Sequence, residues 1–338
     1  MRVGIVNVTG YTGAETARLL ARHPGVEIAW VTGRSEAGKR LAQVFPHLRE
    51  IDQVIAGEPG DAVDLVILAL PHHAAAEMAG GLLARGVKLV DLSADFRLRD
   101  VAVYEEFYGG HPSPELVGEA VYGLPEVYRQ QVRSARLVAN PGCYPTASIL
   151  ALLPALREGI VEPAIVVDAK SGVSGAGRSL ALSSHFSEVD ESVRAYGLDG
   201  HRHWPEIRQE LQAAIGLKKA VRLTFIPHLV PMTRGILVTA YADLTVDWPA
   251  ERLRALYQQY YEKEPFVRVV AEPPQTKQVW GSNYCYVYPT VDRRARRLVT
   301  VSVIDNLVKG AAGQAIQNMN LMLGLPETMG LESLPIYP

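Results

Sequence analysis

The amino-acid sequence predicts a two-domain α/β protein, in which a doubly wound domain with a parallel sheet is followed by an α+β domain whose sheet is mostly antiparallel. Three observations carry this expectation. The first third of the chain alternates short, continuously apolar runs with helix-like segments, the pattern of a parallel sheet covered on both faces. Beyond Cys143 the strand-like stretches lengthen and follow one another with few helices between them, which favours antiparallel or mixed pairing. The length, 338 residues, fits two packed units at roughly 150 residues per domain.

Residues 3–8 form the first strand, and residues 12–22 carry apolar side chains at helical spacing until Pro24 and Gly25 end the helix. Residues 26–32, 64–70, 88–92 and 137–140 repeat the short buried strand. Residues 148–156 read as a buried helix, and residues 164–169, 221–227, 235–244 and 297–304 as the strands of the second domain. The basic run DRRARR at 292–297 has no aromatic platform and reads as a solvated hairpin tip rather than a nucleic-acid site. Residues 309–324 are helical again, with Gly and Ala on the early turns, where small residues permit close backbone approach. The tail is therefore expected to return to the first domain or its ligand. The domains are drawn as 1–143 with 305–338, and 144–304.

Composition narrows the function classes. With 34 Lys+Arg against 36 Asp+Glu the net charge is −2, so no global basic field attracts nucleic acid and partners must be recognised locally. Hydrophobic residues at 48% and charged residues at 21% suffice for sizeable cores and argue against disorder. Two cysteines, Cys143 and Cys285, make no disulfide framework, and the start of the chain has no signal-peptide pattern. No apolar run approaches the ~20 residues of a membrane helix. A soluble, cytoplasmic protein is expected.

The turn NVTGYTG at residues 7–13 follows the first strand and opens the first helix. There, glycines bring backbone amides and a helix N-terminus against a pyrophosphate. The usual fingerprint has Gly where Asn7 stands, although Asn tolerates left-handed backbone angles better than most residues. The bland alternative is an ordinary strand-to-helix turn. About 20 residues on, where an NAD enzyme offers Asp or Glu to the ribose, the second strand ends in Thr32-Gly33-Arg34-Ser35. No carboxylate stands in that run, and Arg34 and Ser35 would instead hold a 2′-phosphate by charge-assisted hydrogen bonds. A Rossmann-type NADP-binding domain is the expectation; otherwise Arg34 is a solvated loop residue.

The run NPGCYPT at 140–146 follows an apolar strand and precedes an apolar helix. Pro145 suits a first helical turn, which places Cys143 at the helix N-terminus, where unpaired amides and the helix dipole favour thiolate. Cys285, inside the strand-like NYCYVY, has no such setting and reads as a core thiol. A thiolate at a nicotinamide site points to acyl chemistry: attack gives a thioester, and hydride transfer gives a thiohemiacetal that collapses to an aldehyde. That chemistry needs an acid/base, and GHRHWPE at 200–206 supplies His201 and His203. The HRH alternation resembles a metal pair, but no further ligands stand at metal spacing, so no metal is expected; exposed loop histidines are the plain alternative. The loop KSGVSGAGR at 170–178 sets hydroxyls, amides and cations at the end of a strand, either a nest for phosphate or carboxylate or a flexible loop.

These motifs, with LALPH at 68–72, DLSADFRL at 91–98, PMTRGI at 231–236 and DNLVKGAAG at 305–313, occur in an order and over a length that resemble the N-acetyl-gamma-glutamyl-phosphate reductases of arginine biosynthesis. The resemblance implies NADPH-dependent reduction of N-acetyl-glutamyl 5-phosphate to N-acetylglutamate 5-semialdehyde with release of phosphate. It also implies a fold similar to the aspartate-semialdehyde and glyceraldehyde-phosphate dehydrogenases, and a small acyl-phosphate as partner in a homodimer or homotetramer. Carried over, Cys143 is the nucleophile and both imidazoles belong to the active site, with His201 favoured as acid/base and His203 kept open. Gly10, Tyr11, Thr12 and Gly13 would touch the cofactor phosphates, Pro71 and His72 would lie on the loop over the cofactor, and Asn306 and Gly310 against its nicotinamide half. Ser171 and Gly172 would help hold the substrate, with Arg234 a weaker candidate.

Two relatives resemble this pattern less well. A lysine-pathway reductase acting on carrier-protein-bound aminoadipyl phosphate has GCNAT where this chain has GCYPT, so Tyr144 and Pro145 favour the arginine substrate. Aspartate-semialdehyde dehydrogenases do not look like HRHWPEI around their histidine. A rival of another class is a non-catalytic NADP-binding sensor, which would not need a helix-capped thiol facing imidazoles.

Overall fold

The computed structural model describes residues 1–216 and 219–338, and the chain divides into two compact units: residues 1–142 with 311–333, and residues 143–310 with 334–338.

The first unit holds, in chain order, β1 (Arg2–Val6), α1 (Tyr11–Leu20), β2 (Glu27–Thr32), α2 (Leu41–Val44), β3 (Ile55–Ala56), β4 (Leu65–Leu68), α3 (Ala74–Ala84), β5 (Lys88–Asp91), α4 (Val101–Tyr108), β6 (Val121–Tyr122), α5 (Pro125–Ser134) and β7 (Leu137–Ala139). Its seven strands are all parallel, in the order β3-β2-β1-β4-β5-β7-β6. Leu65, Val66, Ile67 and Leu68 of β4 are each fully buried, as a central strand covered on both faces requires. The strand order reverses at β1 and β4, and in open α/β sheets ligands bind beyond the carboxyl ends of the strands at such a switch point.

The second unit opens with α6 (Cys143–Arg157) and continues through β8 (Val161–Ser171), α7 (Phe186–Val189), β9 (Arg194–Ala195), α8 (Trp204–Ile215), β10 (Arg222–Leu229), β11 (Ile236–Leu244), α9 (Ala250–Tyr261), β12 (Val267–Val269), β13 (Cys285–Asp292) and β14 (Arg297–Ile304). Its sheet runs β12-β13-β14-β11-β8-β10-β9. Four of the six pairings are antiparallel, with β8–β10 and β12–β13 parallel. Residues 144–156 of α6 are all buried, consistent with their near-continuous apolar sequence. The expectation of few helices between these strands needs correction. α8 and α9 intervene: α8 buries Pro205, Glu206, Ile207, Glu210 and Leu211, so that its buried face itself carries two carboxylates, and α9 buries Leu253, Tyr257 and Tyr261. The basic run 292–297 turns between β13 and β14, where the Asp292 carboxylate accepts from the Arg294 and Ala295 amides.

A π-helical turn, Val308–Ala312, leads into α10 (Gly313–Met322), which belongs to the first unit and is buried on every side. Several of its polar side chains donate within that unit: Asn318 to the Gly123 carbonyl and to Asn140, and Asn320 to the carbonyls of Glu327 and Met329. Among the described residues no helix is long and apolar enough to cross a membrane.

Candidate active site

In the first unit, three adjacent strands end on the predicted cofactor residues. β1 leads into the 7–13 turn, β2 into Gly33-Arg34-Ser35, and β4 into Pro71 and His72. Asn7 adopts φ +63°, the left-handed conformation that the usual glycine supplies. Its side chain also fastens the turn to the end of β4, donating to the Ala69 carbonyl at 2.8 Å, while its Oδ1 accepts from the Thr9 hydroxyl at 3.1 Å. Gly10 caps α1 in an extended conformation and no side chain caps the helix, so its first-turn amides are left for solvent or a ligand. Gly13 has to be glycine: a Cβ there would stand 2.3 Å from the Asn7 carbonyl oxygen. Gly10, Tyr11, Thr12 and Gly13 thus form a cradle of backbone at a helix N-terminus, which fits a pyrophosphate.

Arg34 opens a 3₁₀ turn at the end of β2, with its side chain 82% exposed. Ser35 beside it is exposed. The reading that no carboxylate attends this strand end is corrected. Glu58, from the loop after β3, approaches the Arg34 guanidinium to 3.9 Å, and Glu36 follows two residues later, its carboxylate taken by Lys39 at 2.6 Å. The exposed Glu58 contact does not fix Arg34 strongly.

Pro71 and His72 are exposed, and His73, at φ +70°, starts α3. This strained corner is held by the buried Asp95, whose carboxylate accepts from the His73 and Ala76 amides at 2.9 Å each and from the Tyr104 hydroxyl at 2.7 Å. Nearby Asp91 is pushed up to about 7 by burial and then by the Asp95 charge, against hydrogen bonds from the Ser93 amide and hydroxyl. The conspicuous acidic residues of DLSADFRL are therefore buried scaffolding of the loop. Asn140 is tied down likewise: Arg97 donates to its carbonyl at 2.7 Å, and its side chain bonds Ala311 and Asn318.

In the second unit, sheet register gathers the candidates at one end. Leu229 of β10 and Ile236 of β11 both pair with Ser171 of β8, and Ile236 pairs with Ile304 of β14. Ser171, Gly172, Arg234 and Asn306 therefore converge although they span more than 130 residues of sequence. Cys143 is the first residue of α6 and half-buried. Gly310, in the π-helical turn, packs so close that a Cβ would stand 2.8 Å from the Cβ of Cys143. Next to the thiol, the Tyr144 ring meets His201 and His203 edge-on at 5.8 and 5.9 Å between centroids, and the imidazoles are 5.0 Å apart. The Tyr144 hydroxyl lies 3.1 Å from that of Tyr196, whose ring is 5.5 Å from His201. Cys285 is fully buried in β13.

His201 is pushed down to about 4 by burial, with the Arg202 charge acting in the same direction, so its ring is neutral at neutral pH. Its Nδ1 accepts the His203 backbone N–H at 3.0 Å, which puts the hydrogen of the neutral ring on Nε2 and makes that nitrogen a donor.

The 171–178 loop differs from an anion nest. The amides of Gly172, Val173 and Ser174 donate to the carbonyls of Gly235, Met232 and Thr233 at 2.9–3.0 Å and have no hydrogen left for a ligand. Lys170, one residue along the strand from buried Ser171, points to the other sheet face and pairs with Asp168 at 2.9 Å. Asn306 is 2% exposed; its Oδ1 accepts from the Gly235 amide at 2.7 Å and its Nδ2 donates to the Ser174 hydroxyl at 2.9 Å. It braces this end of the sheet. Arg234 reaches the fully buried Asp305 at 3.2 Å, with its side chain 29% exposed. The sequence reading missed Tyr196: its partner Tyr144 lies 52 residues away and nothing local distinguishes it.

Residues 2–135 match the family described as semialdehyde dehydrogenase, NAD binding domain, and residues 143–306 that described as semialdehyde dehydrogenase, dimerisation domain. Over 338 residues the chain is 53% identical to an N-acetyl-gamma-glutamyl-phosphate reductase of Dehalococcoides mccartyi, covering all of this chain and 99% of the relative. It is 54% identical over 348 residues to a protein of the same name from Symbiobacterium thermophilum, with the same coverage. Among solved structures it is similar to aspartate semialdehyde dehydrogenase II of Vibrio cholerae, with TM-score 0.72 at 17% identity, covering 96% of this chain and 98% of that one. Aspartate semialdehyde dehydrogenase with NADP from Candida albicans matches with TM-score 0.70 at 14% identity, covering 95% and 98%. At such identities these structures speak for the fold.

Proposed function

Because the chain belongs to the N-acetyl-gamma-glutamyl-phosphate reductases, within the semialdehyde dehydrogenase family, we propose that it reduces N-acetyl-glutamyl 5-phosphate to N-acetylglutamate 5-semialdehyde with release of phosphate, using NADPH. The observation that carries this reading is Cys143 at the start of α6, beside Tyr144 and the two imidazoles, in a chain 53% identical to such a reductase over its whole length.

In this reading the Cys143 thiolate adds to the acyl carbonyl. The Sγ–C bond forms, the C–O bond to phosphate breaks, and phosphate leaves with the electron pair, giving a thioester. A bound nicotinamide would supply the hydride that reduces this thioester. The resulting thiohemiacetal anion on Cys143 collapses as its Sγ–C bond breaks, releasing the aldehyde and restoring the thiolate. The His201 Nε2–H is a donor for the oxygen that gains charge, and a phosphate dianion nearby would raise its proton affinity towards the imidazolium that an acid requires. Gly310 leaves room for Cys143. Arg234, oriented by buried Asp305, offers donors to the substrate's anionic groups. The backbone of Gly10 to Gly13 would hold the cofactor pyrophosphate. The dimerisation-domain match of residues 143–306 supports assembly of copies through this unit.

The substrate assignment is tested by comparing phosphate-dependent oxidation of three semialdehydes. N-acetylglutamate semialdehyde is expected to exceed aspartate semialdehyde and aminoadipate semialdehyde by about 10²-fold in kcat/KM, roughly the discrimination that differential binding supplies. Equal or greater turnover of either competitor would reassign the substrate.

NADPH is preferred in this reading because Arg34 and Ser35 are open to a 2′-phosphate while Glu36 is engaged by Lys39. Arg34→Ala is expected to raise the KM for NADPH about tenfold, as loss of one charge-assisted contact does, and to change that for NADH little. Parallel losses for both cofactors would remove Arg34 from this role.

A further inference from the structure

We propose that the Tyr196 hydroxyl is a catalytic donor, hydrogen-bonding the acyl oxygen as it takes on charge during addition of Cys143 and again during reduction of the thioester. This rests on the acyl-phosphate reductase reading above and adds a residue to that site.

The placement of Tyr196 follows from the fold. Arg194 and Ala195 pair with Leu229 and His228 at the sheet edge, and the Tyr196 amide donates to the Pro227 carbonyl at 3.1 Å. Gly197 then turns at φ +61° and packs so tightly that a Cβ would stand 3.2 Å from the Cβ and Cδ2 of His201. The Tyr196 ring is thereby held 5.5 Å from His201, with its hydroxyl 3.1 Å from that of Tyr144, the residue after the nucleophile.

Hydrogen accounting makes the pair a donor. Two hydroxyls carry two hydrogens, and one hydrogen suffices to join them. The Tyr144 hydroxyl is 3% exposed with its residue and lies 3.4 Å from the His228 carbonyl, a long contact. With Tyr144 donating to Tyr196, the hydrogen of half-buried Tyr196 is available to an incoming oxygen, and accepting from Tyr144 makes it a better donor. Burial raises both phenols above their ordinary range, and the negative charge of Cys143 adds to the shift, which keeps both hydroxyls protonated beside the thiolate. A neutral donor in a partly buried site interacts more strongly with an oxygen as that oxygen becomes negative, and this difference lowers a barrier. The hydroxyl donates a hydrogen bond without losing its proton, so the electron and proton balance of the reaction is unchanged.

The test uses Tyr196→Phe, which keeps the ring and removes only the oxygen. Phosphate-dependent oxidation of N-acetylglutamate semialdehyde is expected to lose about 10²-fold in kcat, the effect of removing one such donor. The KM for the semialdehyde should stay within about threefold and iodoacetamide alkylation of Cys143 within about twofold, since neither reads an oxygen that becomes charged only during reaction. Tyr144→Phe should cost less in kcat. A kcat for Tyr196→Phe within twofold of the parent overturns the assignment. So does an alkylation rate that falls in step with kcat, which would place the effect on the thiol. A parent protein without this oxidation overturns the reductase reading itself, and the role of Tyr196 with it.

Discussion

Replacing Cys143 with serine is expected to lower phosphate-dependent oxidation of N-acetylglutamate semialdehyde by about 10³-fold or more, the scale seen when a covalent nucleophile is removed. Serine fits the same space, so the close approach of Gly310, whose added Cβ would stand 2.8 Å from that of Cys143, is preserved. What is lost is the thiolate. A serine hydroxyl needs a strong neighbouring base, and the His201 ring presents a hydrogen on Nε2 rather than a lone pair. Cys285 offers no substitute, being fully buried within β13. Steady-state assay of the variant, with mass spectrometry to exclude parent contamination, reads the effect; retention of more than a tenth of parental activity would place the nucleophile elsewhere.

His201→Gln is expected to lower kcat by about 10²-fold or more, the usual contribution of a positioned acid/base group. His203→Gln should do less if His201 is the working imidazole. The pH behaviour gives the sign independently. Burial holds the folded His201 near 4, whereas an unperturbed ring takes its proton near 6.5. Between these values the unfolded chain binds the additional proton, so stability present above about pH 6.5 declines as pH falls towards 4, and His201→Gln should shrink that decline. A ring-proton NMR titration of the free enzyme should give His201 a midpoint well below 6.5; a midpoint at or above 6.5 would contradict the burial argument.

The parallel sheet is legible in the sequence because β4 and β7 are continuously apolar, β5 has Leu89 and Val90 at its centre, and all three are too short for helices. β3 and β6, of two residues each, leave no pattern to read. In the second unit α8 and α9 escape notice because the buried face of α8 includes Glu206 and Glu210 and that of α9 has only three residues. Cys143 is legible because its chemistry is local: a Pro-Gly turn, a helix start and a thiol lie within seven residues. Contacts made by sheet register are not. Glu58 meets Arg34 from a neighbouring loop, the 232–235 turn consumes the amides of the 171–178 loop, and Tyr196 reaches Tyr144 across 52 residues. Asn7, which departs from the glycine fingerprint, fits once its left-handed backbone and its bond to Ala69 are seen.

The covalent step at Cys143 is tested most directly by mixing the enzyme with N-acetylglutamate semialdehyde and NADP⁺ in the absence of phosphate. Hydride transfer then proceeds once and stops at the thioester. The expected result is a burst of one NADPH per active thiol, an N-acetylglutamyl adduct on the peptide carrying Cys143, and discharge of that adduct when phosphate is added. Continuous turnover without phosphate and without an adduct, or an adduct on any other residue, would contradict it.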